Sequence, residues 1–273
     1  MNRFRDKVVL VTGGNRNTGL WLVKKFVDEG ARVFTCARNE KSAEEGERSL
    51  AEMGVKGVRM IVCDISDLAQ VNAIFDVIEK EAGTLDILVN NAANQGLGHG
   101  GPLEMDPKRF CEVFSVNVVG GFQVTQAAAN RFFMKKPYAV ESAEGGRGAD
   151  RGVVVFLSSN TAMRAIRGRT AYCSSKGAIN SMVRSLALDL SPLGIRVNCC
   201  APGYINTSRW DVLDPEIARR RRMNCPLGRE ASGADIANVV AFLASEDSGN
   251  MAGEIVTCDA GCSCQHMPAD VDR

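Results

Sequence analysis

The chain has almost no excess charge of either sign: 33 lysines and arginines stand against 32 acids across 273 residues, and only two histidines join them. Without a basic surplus there is no general attraction to phosphate polymers, so nucleic acid is not an expected partner. No apolar run approaches the roughly 20 residues that span a bilayer, so no membrane segment is expected. Aromatic residues make up 6% of the chain. Internal repeats, exposed heptads and low-complexity tracts are all missing, which removes solenoids and coiled coils from consideration. What is present, 45% hydrophobic and 24% charged residues, is ordinary for a folded globular protein and excludes disorder.

No export signal is read at the start, because Met1–Lys7 is charged and runs straight into a strand-like segment. The expected compartment is a reducing cytosol, where disulfides are rare, so the ten cysteines are expected as thiols. One cluster, Cys258, Cys262, Cys264 and His266, has two readings: a metal site, or small buried and tail thiols. It lacks the paired Cys-x-x-Cys spacing of structural zinc sites, so no metal is expected.

The chain's organisation is an alternation of strand and helix. Lys7–Val11 is a short apolar run closed by Thr12-Gly13-Gly14, and Asn17–Glu29 then places Leu20, Val23, Phe26 and Val27 at helical spacing. The pattern continues with strand 32–36, helix 40–53, strand 58–63, helix 67–81 and strand 85–90. After these come one long helix over 107–134, strand 153–158, helix 171–190, strand 195–200, helix 234–245 and strand 254–257. Strands this apolar are buried on both faces, and their alternation with helices implies parallel pairing through right-handed crossovers. The expectation is one doubly wound α/β domain over 1–273, with ligands at the carboxyl ends of its strands. Two segments interrupt the rhythm. Lys135–Arg151 is polar, Gly-rich and aperiodic, and reads as a surface loop. Asn206–Leu227 carries Trp210 and the run Arg219–Arg222; such a run either binds nucleic acid or is a solvated helix face, and on a neutral chain the second is expected.

Two motifs carry chemistry. The strand–turn–helix at Val8–Gly19 has a Gly-rich turn, through which backbone N–H groups approach a pyrophosphate at a helix N-terminus. In Tyr172-Cys-Ser-Ser-Lys176 the tyrosine and lysine stand one helical turn apart on the same face. A phenol titrates near pH 10, and a neighbouring ammonium favours its phenolate and tunes it for proton transfer. Ser159, at the end of the preceding strand, can hold a carbonyl oxygen.

Together these residues resemble the short-chain dehydrogenase/reductase family over nearly the whole chain, from about Lys7 to Gly261. Thr12-Gly-x-x-x-Asn17-x-Gly19 matches TGxxxGxG except at the middle glycine. Asp64 matches the acid that contacts adenine, Asn90-Asn91-Ala92-Ala93 matches NNAG, and Pro202-Gly203 through Thr207 matches PGxxxT. The resemblance implies a catalytic set of Asn117, Ser159, Tyr172 and Lys176. In it Tyr172 is the general acid/base and Ser159 orients the substrate oxygen. Lys176 binds the nicotinamide ribose and lowers the phenol pKa, and Asn117 holds a water that links Lys176 to solvent. It implies a dinucleotide held by Gly13, Asn15, Arg16, Asn17, Gly19, Arg38, Asp64, Ile65, Asn91, Pro202, Gly203, Ile205 and Thr207, with Tyr172 and Lys176. It also implies a homo-oligomer, a tetramer built on the helices at 107–134 and 171–190; Phe110, Val113, Phe114 and Phe122 make the first of these unusually apolar.

The departures from the family pattern are local. Asn17 replaces a glycine at a turn that Asn tolerates through the left-handed backbone region, while Ala93 and Ala260 each add a methyl. An NAD-preferring relative ends its second strand with an acid that binds the adenosine ribose. Here Ala37 takes that place, Arg38 follows, and Arg16 stands in the Gly-rich turn. Two guanidinium groups flanking a phosphate favour NADP(H). The expected activity is therefore NADP(H)-dependent interconversion of a carbonyl and a secondary alcohol; the alternative is a dinucleotide-binding sensor without turnover. The small-molecule substrate is expected among the loops Asn94–Gly101, which includes His99, Asn160–Arg169 and Tyr204–Leu227. Arg164, Arg167 and Arg169 crowd the second loop, either to receive an acidic substrate or simply as solvated residues.

Overall fold

The computed structural model describes residues 2–98, 100–141, 148–208, 210 and 212–267; His99 and part of the 135–151 segment lie outside them. Seven parallel strands form one sheet: β1 (Val8–Thr12), β2 (Arg32–Ala37), β3 (Arg59–Val62), β4 (Ile87–Asn90), β5 (Gly152–Leu157), β6 (Ile195–Pro202) and β7 (Ile255–Cys258), in the order β3-β2-β1-β4-β5-β6-β7. Between them run α1 (Thr18–Asp28), α2 (Glu40–Glu52), α3 (Leu68–Ala82), α4 (Pro107–Phe114), α5 (Gly121–Arg131), α6 (Thr170–Leu190), α7 (Pro215–Met223) and α8 (Gly233–Ala244). This is the doubly wound α/β sheet that the alternation predicts.

Each strand feeds two cores, because successive side chains point to opposite faces of the sheet. From β1, Val9 and Val11 pack with Leu22, Phe26 and Val240 on the face that carries α1 and α8. Val8 and Leu10 pack with Phe75, Val124 and Val183 on the face that carries α3, α5 and α6. The helices start where their sequences supply caps. Asn39, Asp67, Asp106 and Asp214 each accept from a backbone N–H of the following first turn, and Ser232 and Asp235 form a reciprocal capping box.

Two expectations change. The continuous helix over 107–134 is divided, because Ser115–Gly120 between α4 and α5 is a π-helical segment and regular α-helix ends at Arg131. Such a bulge adds one residue to a turn and rotates the residues on its C-terminal side. It gives Asn117 an inward direction, and at Gly120 a Cβ would come within 2.9 Å of the Ile65 carbonyl oxygen. The second concerns one residue of the 206–227 segment, where α7 carries the arginine run largely as the solvated helix face expected. Arg219 and Arg220 are exposed and pair with Glu216 on their own helix, and Arg222 pairs with Glu230. Arg221, which is half-buried, lies over the rings of Tyr204 and Trp210, 5.6 and 5.8 Å from their centroids, and Arg222 also reaches the Trp210 ring at 5.3 Å.

The strand order reverses between β1 and β4, and the loops that leave these strands diverge to opposite sides. A cleft opens there, outside the carboxyl ends of the strands.

Candidate active site

Thr12 and Asn91 hold that cleft open at its centre. The Thr12 hydroxyl accepts from the Asn91 and Ala92 N–H groups at 3.1 Å, and Asn91 Nδ2 donates to the carbonyls of Thr12 and Gly13 at 2.9 Å. The end of β4 is thereby tied to the turn after β1. Gly13 has φ +66°, and a Cβ there would lie 2.9 Å from Ala92 Cα; a Cβ at Gly19 would run into the Gly13 carbonyl. Only glycine leaves both the backbone path and the surface beside the α1 N-terminus free.

The cleft is lined by Gly13, Asn15, Arg16, Asn17, Gly19, Arg38, Asp64, Ile65 and Asn91. These nine are the cofactor residues expected from β1 through β4, brought together on one surface. The cradle left by the glycines, the helix N-terminus behind it and two guanidinium groups at one end suit a phosphorylated dinucleotide. Arg16 and Arg38 are both exposed, and neither forms an ion pair among the described residues. Asp64 accepts from the Ser66 N–H and hydroxyl at 2.9 and 2.6 Å.

Three further residues line this end without having been singled out from the sequence. Ser42 stands in the first turn of α2, and its carbonyl accepts from Asn15 Nδ2 at 3.2 Å; its place three residues after the Asn39 cap was the available signal. Cys36 on β2 meets Cys63 just after β3, Cys63 donating to Cys36, which lowers the Cys36 thiol and raises that of Cys63. An apolar strand gives no warning of such a pair.

Asn17 has φ +48°, the sign expected where a glycine is replaced, but its ψ of −127° lies outside the left-handed helical well that Asn favours. The tolerance expected of Asn is therefore not what holds the turn. Its Oδ1 accepts from the Ser208 hydroxyl at 3.3 Å, so a residue of the loop after β6 helps to fix it. Ala260 is likewise at φ +56°.

The second group gathers at the ends of β5 and α6. Lys176 is buried, and its Nζ donates to the Leu157 carbonyl at 2.7 Å and lies 5.6 Å from the centre of the Tyr172 ring. Burial lowers its pKa to about 8. The Ser159 hydroxyl accepts from the Thr161 N–H and hydroxyl at 3.2 and 3.0 Å. Asn117 reaches from the π-helical segment: its Oδ1 accepts from the Asn94 N–H at 2.7 Å, and its Nδ2 donates to the Asn94 carbonyl and the Ser175 hydroxyl at 2.9 Å. Ser175 donates in turn to the Tyr172 carbonyl at 2.8 Å. Ser175, missed in the sequence, is thus the link between Asn117 and the helix that carries Tyr172 and Lys176. Its only signal was a small hydroxyl residue beside the lysine.

Pro202, Gly203, Ile205 and Thr207 do not line the β1–β4 cleft. They stand at and after the end of β6, where the Gly203 N–H donates to the Cys258 carbonyl at 3.1 Å and Ile205 bridges to Ala231. Cys258 ends β7, Cys262 and Cys264 come after it in a turn, and all ten cysteines are free thiols. Among the described residues no group of three or more His, Cys, Asp or Glu side chains is placed to hold a metal. No helix of the described residues is long and apolar enough to cross a membrane.

A family model described as enoyl-(acyl carrier protein) reductase matches residues 15–263. The chain belongs to the short-chain dehydrogenase/reductase family. Among curated relatives, it is 31% identical to the 3-oxoacyl-[acyl-carrier-protein] reductase MabA of Mycobacterium avium over 264 residues, covering 96% of this chain and 92% of that one. It is 32% identical to a 3alpha-hydroxysteroid dehydrogenase of Mediterraneibacter gnavus over 257 residues, covering 93% of this chain and 96% of the relative. The crystal structure of gox2181 superposes with a TM-score of 0.82 at 29% identity, over 96% of this chain and 98% of that one.

The buried Lys176 charge has a measurable consequence. Its folded-state pKa of about 8 lies below the ordinary 10.5, so between those values the folded chain holds fewer protons than the unfolded one. Stability from this group is therefore fully present above 10.5 and is lost as pH falls through 8. Lys176→Met is expected to be more stable than the wild type at pH 7 by about 1–3 kcal/mol. That gap should close as pH rises toward 10.5, and urea midpoints of the two proteins across this range check it.

Proposed function

We propose that this chain is an NADP(H)-dependent oxidoreductase that interconverts a carbonyl and a secondary alcohol on a small molecule, working as one domain in the reducing cytosol. The observation that carries the reading is the Lys176 ammonium, buried against the Tyr172 ring beside a dinucleotide-shaped cleft. Tyr172, Lys176, Ser159 and Asn117 are the proposed catalytic set. Gly13, Asn15, Asn17, Gly19, Asp64, Ile65 and Asn91 hold the dinucleotide along the cleft, and Pro202, Gly203, Ile205 and Thr207 flank its nicotinamide end. When bound, the nicotinamide ring supplies or accepts the hydride.

The protein's own work is to move a proton and to hold an oxygen. The Ser159 hydroxyl has acceptor contacts from Thr161, which leaves its own proton to aim at the substrate oxygen. Tyr172 gives its phenol proton to that oxygen in reduction and takes it back in oxidation. The Lys176 ammonium stabilises the phenolate by its charge. The Asn117 amide holds the loop at Asn94 and helix α6 in one register, so the phenol and the cleft keep their relative position. Tyr172→Phe is expected to lower turnover by about 10²–10⁴-fold with cofactor binding nearly unchanged. A panel of carbonyls and alcohols monitored by nicotinamide absorbance checks this; near-normal turnover by the variant on its best substrate overturns the assignment of the acid. A protein that binds the dinucleotide but turns over no member of the panel is instead a sensor.

The preference for NADP(H) rests on Arg16 and Arg38, two guanidinium groups without carboxylate partners on the adenosine side of the cleft, with Ala37 in place of an acid. Ser42 adds a hydroxyl at the same end. Replacing both arginines with glutamine is expected to weaken NADP(H) much more than NAD(H), because only the former presents a 2′-phosphate. The kcat/KM values of the native enzyme for the two cofactors test the assignment, and a clear NAD(H) preference defeats it.

The names of the relatives span an acyl-carrier-bound ketone and a steroid, so they leave the substrate open. The third proposal is assembly as a homotetramer. Val119 in the π-helical segment, Phe122 on α5 and Leu188 on α6 are exposed at 49%, 40% and 77%, a cost that a second copy would remove. Light scattering at micromolar concentration is expected to give a multiple of 29.4 kDa, and a monomer mass defeats it.

A further inference from the structure

The three arginines of the loop before α6 part company in the structure. Arg164 donates through Nη1 to the carbonyls of Cys262 and Gln265 and so ties down the segment after β7. Arg167 is exposed. Arg169 does neither: its guanidinium carbon lies 5.3 Å from the centre of the Tyr172 ring. The phenol therefore has two cations against it, Arg169 from the start of its own helix and Lys176 from the next turn.

Helix capping gives no reason for an arginine here. Arg169 is the residue that caps α6, and its side chain makes no capping hydrogen bond; arginine is not among the residues that cap helix N-termini well. The macrodipole places positive charge at that end, so a further cation is unfavourable for the helix itself. No carboxylate among the described residues pairs with it, and its Nε is buried without a hydrogen-bond partner. Each of these costs is reduced if an anion forms beside it, and the group beside it is the phenol of Tyr172, on the third residue of the helix.

We propose that Arg169 is a positioning residue of the proposed reaction, a second cation that acts through Tyr172 by favouring its phenolate; this rests on Tyr172 being the general acid/base. When the phenol gives its proton to the substrate oxygen, the charge left behind lies between Arg169, Lys176 and the α6 N-terminus. The other described groups nearby are neutral or, for the carboxylate of Asp259, held by neutral hydrogen-bond donors. Ser159 and Asn117 are uncharged, and Cys199 on β6, behind Lys176, stays a neutral thiol because burial pushes it up to about 12. Asp259, at the end of β7, is taken by Asn160 Nδ2 and by the Gly261 and Ser263 N–H groups. Tyr204, on the loop after β6, is raised by its burial.

The test is a pH titration of tyrosinate absorbance. The chain has three tyrosines, so subtracting the curve of the matching Tyr172→Phe protein isolates Tyr172. Arg169→Gln is expected to raise its midpoint by about one pH unit, the lower end of what a neighbouring opposite charge produces, and Arg169→Lys to restore most of the shift. The acid limb of the kcat/KM profile should move upward with it. A midpoint that stays or falls overturns the inference, whatever happens to turnover. So does a defect confined to KM for carboxylate-bearing substrates, which would assign Arg169 to the substrate. If Arg169→Gln does not fold, Arg169→Met, which keeps the stem over the ring, gives the same comparison. The absorbance titration needs no substrate: a shifted midpoint with no turnover on any carbonyl or alcohol would show the Arg169–Tyr172 coupling but overturn the reaction it serves, and an active enzyme with an unmoved midpoint would keep the reaction and overturn the role of Arg169.

Discussion

Lys176 keeps an ammonium group inside the protein with the Leu157 carbonyl as its acceptor, and a buried charge so sparsely compensated is costly. Its surroundings explain how the cost is borne. The carbonyl belongs to the end of β5, in the middle of a sheet that is buried on both faces, so the acceptor cannot drift. The Lys176 backbone is itself anchored, its carbonyl accepting from the Ser158 hydroxyl at 3.1 Å. The ammonium, the ring above it and the serine at the strand end are therefore set by the sheet and not by a loop. Positive charge is gathered locally on a chain with a net charge of only +1. Many acids are spent elsewhere, Glu29, Glu79, Glu216 and Glu230 in pairs with arginines. Arg16, Arg38 and Arg169 are the arginines left facing the cleft and the phenol.

The connection between the β1–β4 cleft and the group around Tyr172 and Lys176 runs through a backbone irregularity. In a continuous α-helix over 107–134 the residue at 117 would keep the period of its neighbours. The π-helical turn rotates it into the interior, where one amide satisfies the loop after β4 through Asn94 and the helix α6 through Ser175. The amide joins its own segment to two others, and removing it would leave the Asn94 N–H and carbonyl and the Ser175 hydroxyl without that partner. Helical irregularities of this kind recur at functional sites because they cost local hydrogen bonding and survive only where something else depends on them.

Much of this was legible in the sequence, for physical reasons that differ by residue. Val8–Val11 and Val153–Phe156 are apolar enough to declare buried parallel strands, and Gly13 and Gly19 announce a turn that needs bare backbone. Tyr172 and Lys176 declare themselves by helical spacing. The π-helical segment did not, because hydrophobic periodicity over a few residues cannot distinguish one inserted residue from a continuing helix. Ser175 and Ser42 were invisible because a serine in a helix or at a cap is ordinary until its partner is known. Arg169 looked like its neighbours Arg164 and Arg167. Only the path of the loop separates one that binds carbonyls, one that faces solvent and one that lies on a phenol ring.

Asn17 and Ala260 are two of the three non-glycine residues with positive φ among the described residues, and both occupy positions where the family pattern has glycine. Such conformations cost of order 1–3 kcal/mol each and persist only where the surroundings over-determine them. At Ala260 the surroundings are Asp259, which accepts from Gly261 and Ser263 on either side of the turn. At Asn17 they include Ser208, whose hydroxyl reaches across from the loop after β6. A glycine at 17 would relax the backbone but would have no side chain for Ser208 to bind. The substitution therefore exchanges local backbone ease for a direct tie between the Gly-rich turn after β1 and the loop after β6. In this chain the turn after β1 and the loop after β6 are joined through a residue that departs from the family's glycine.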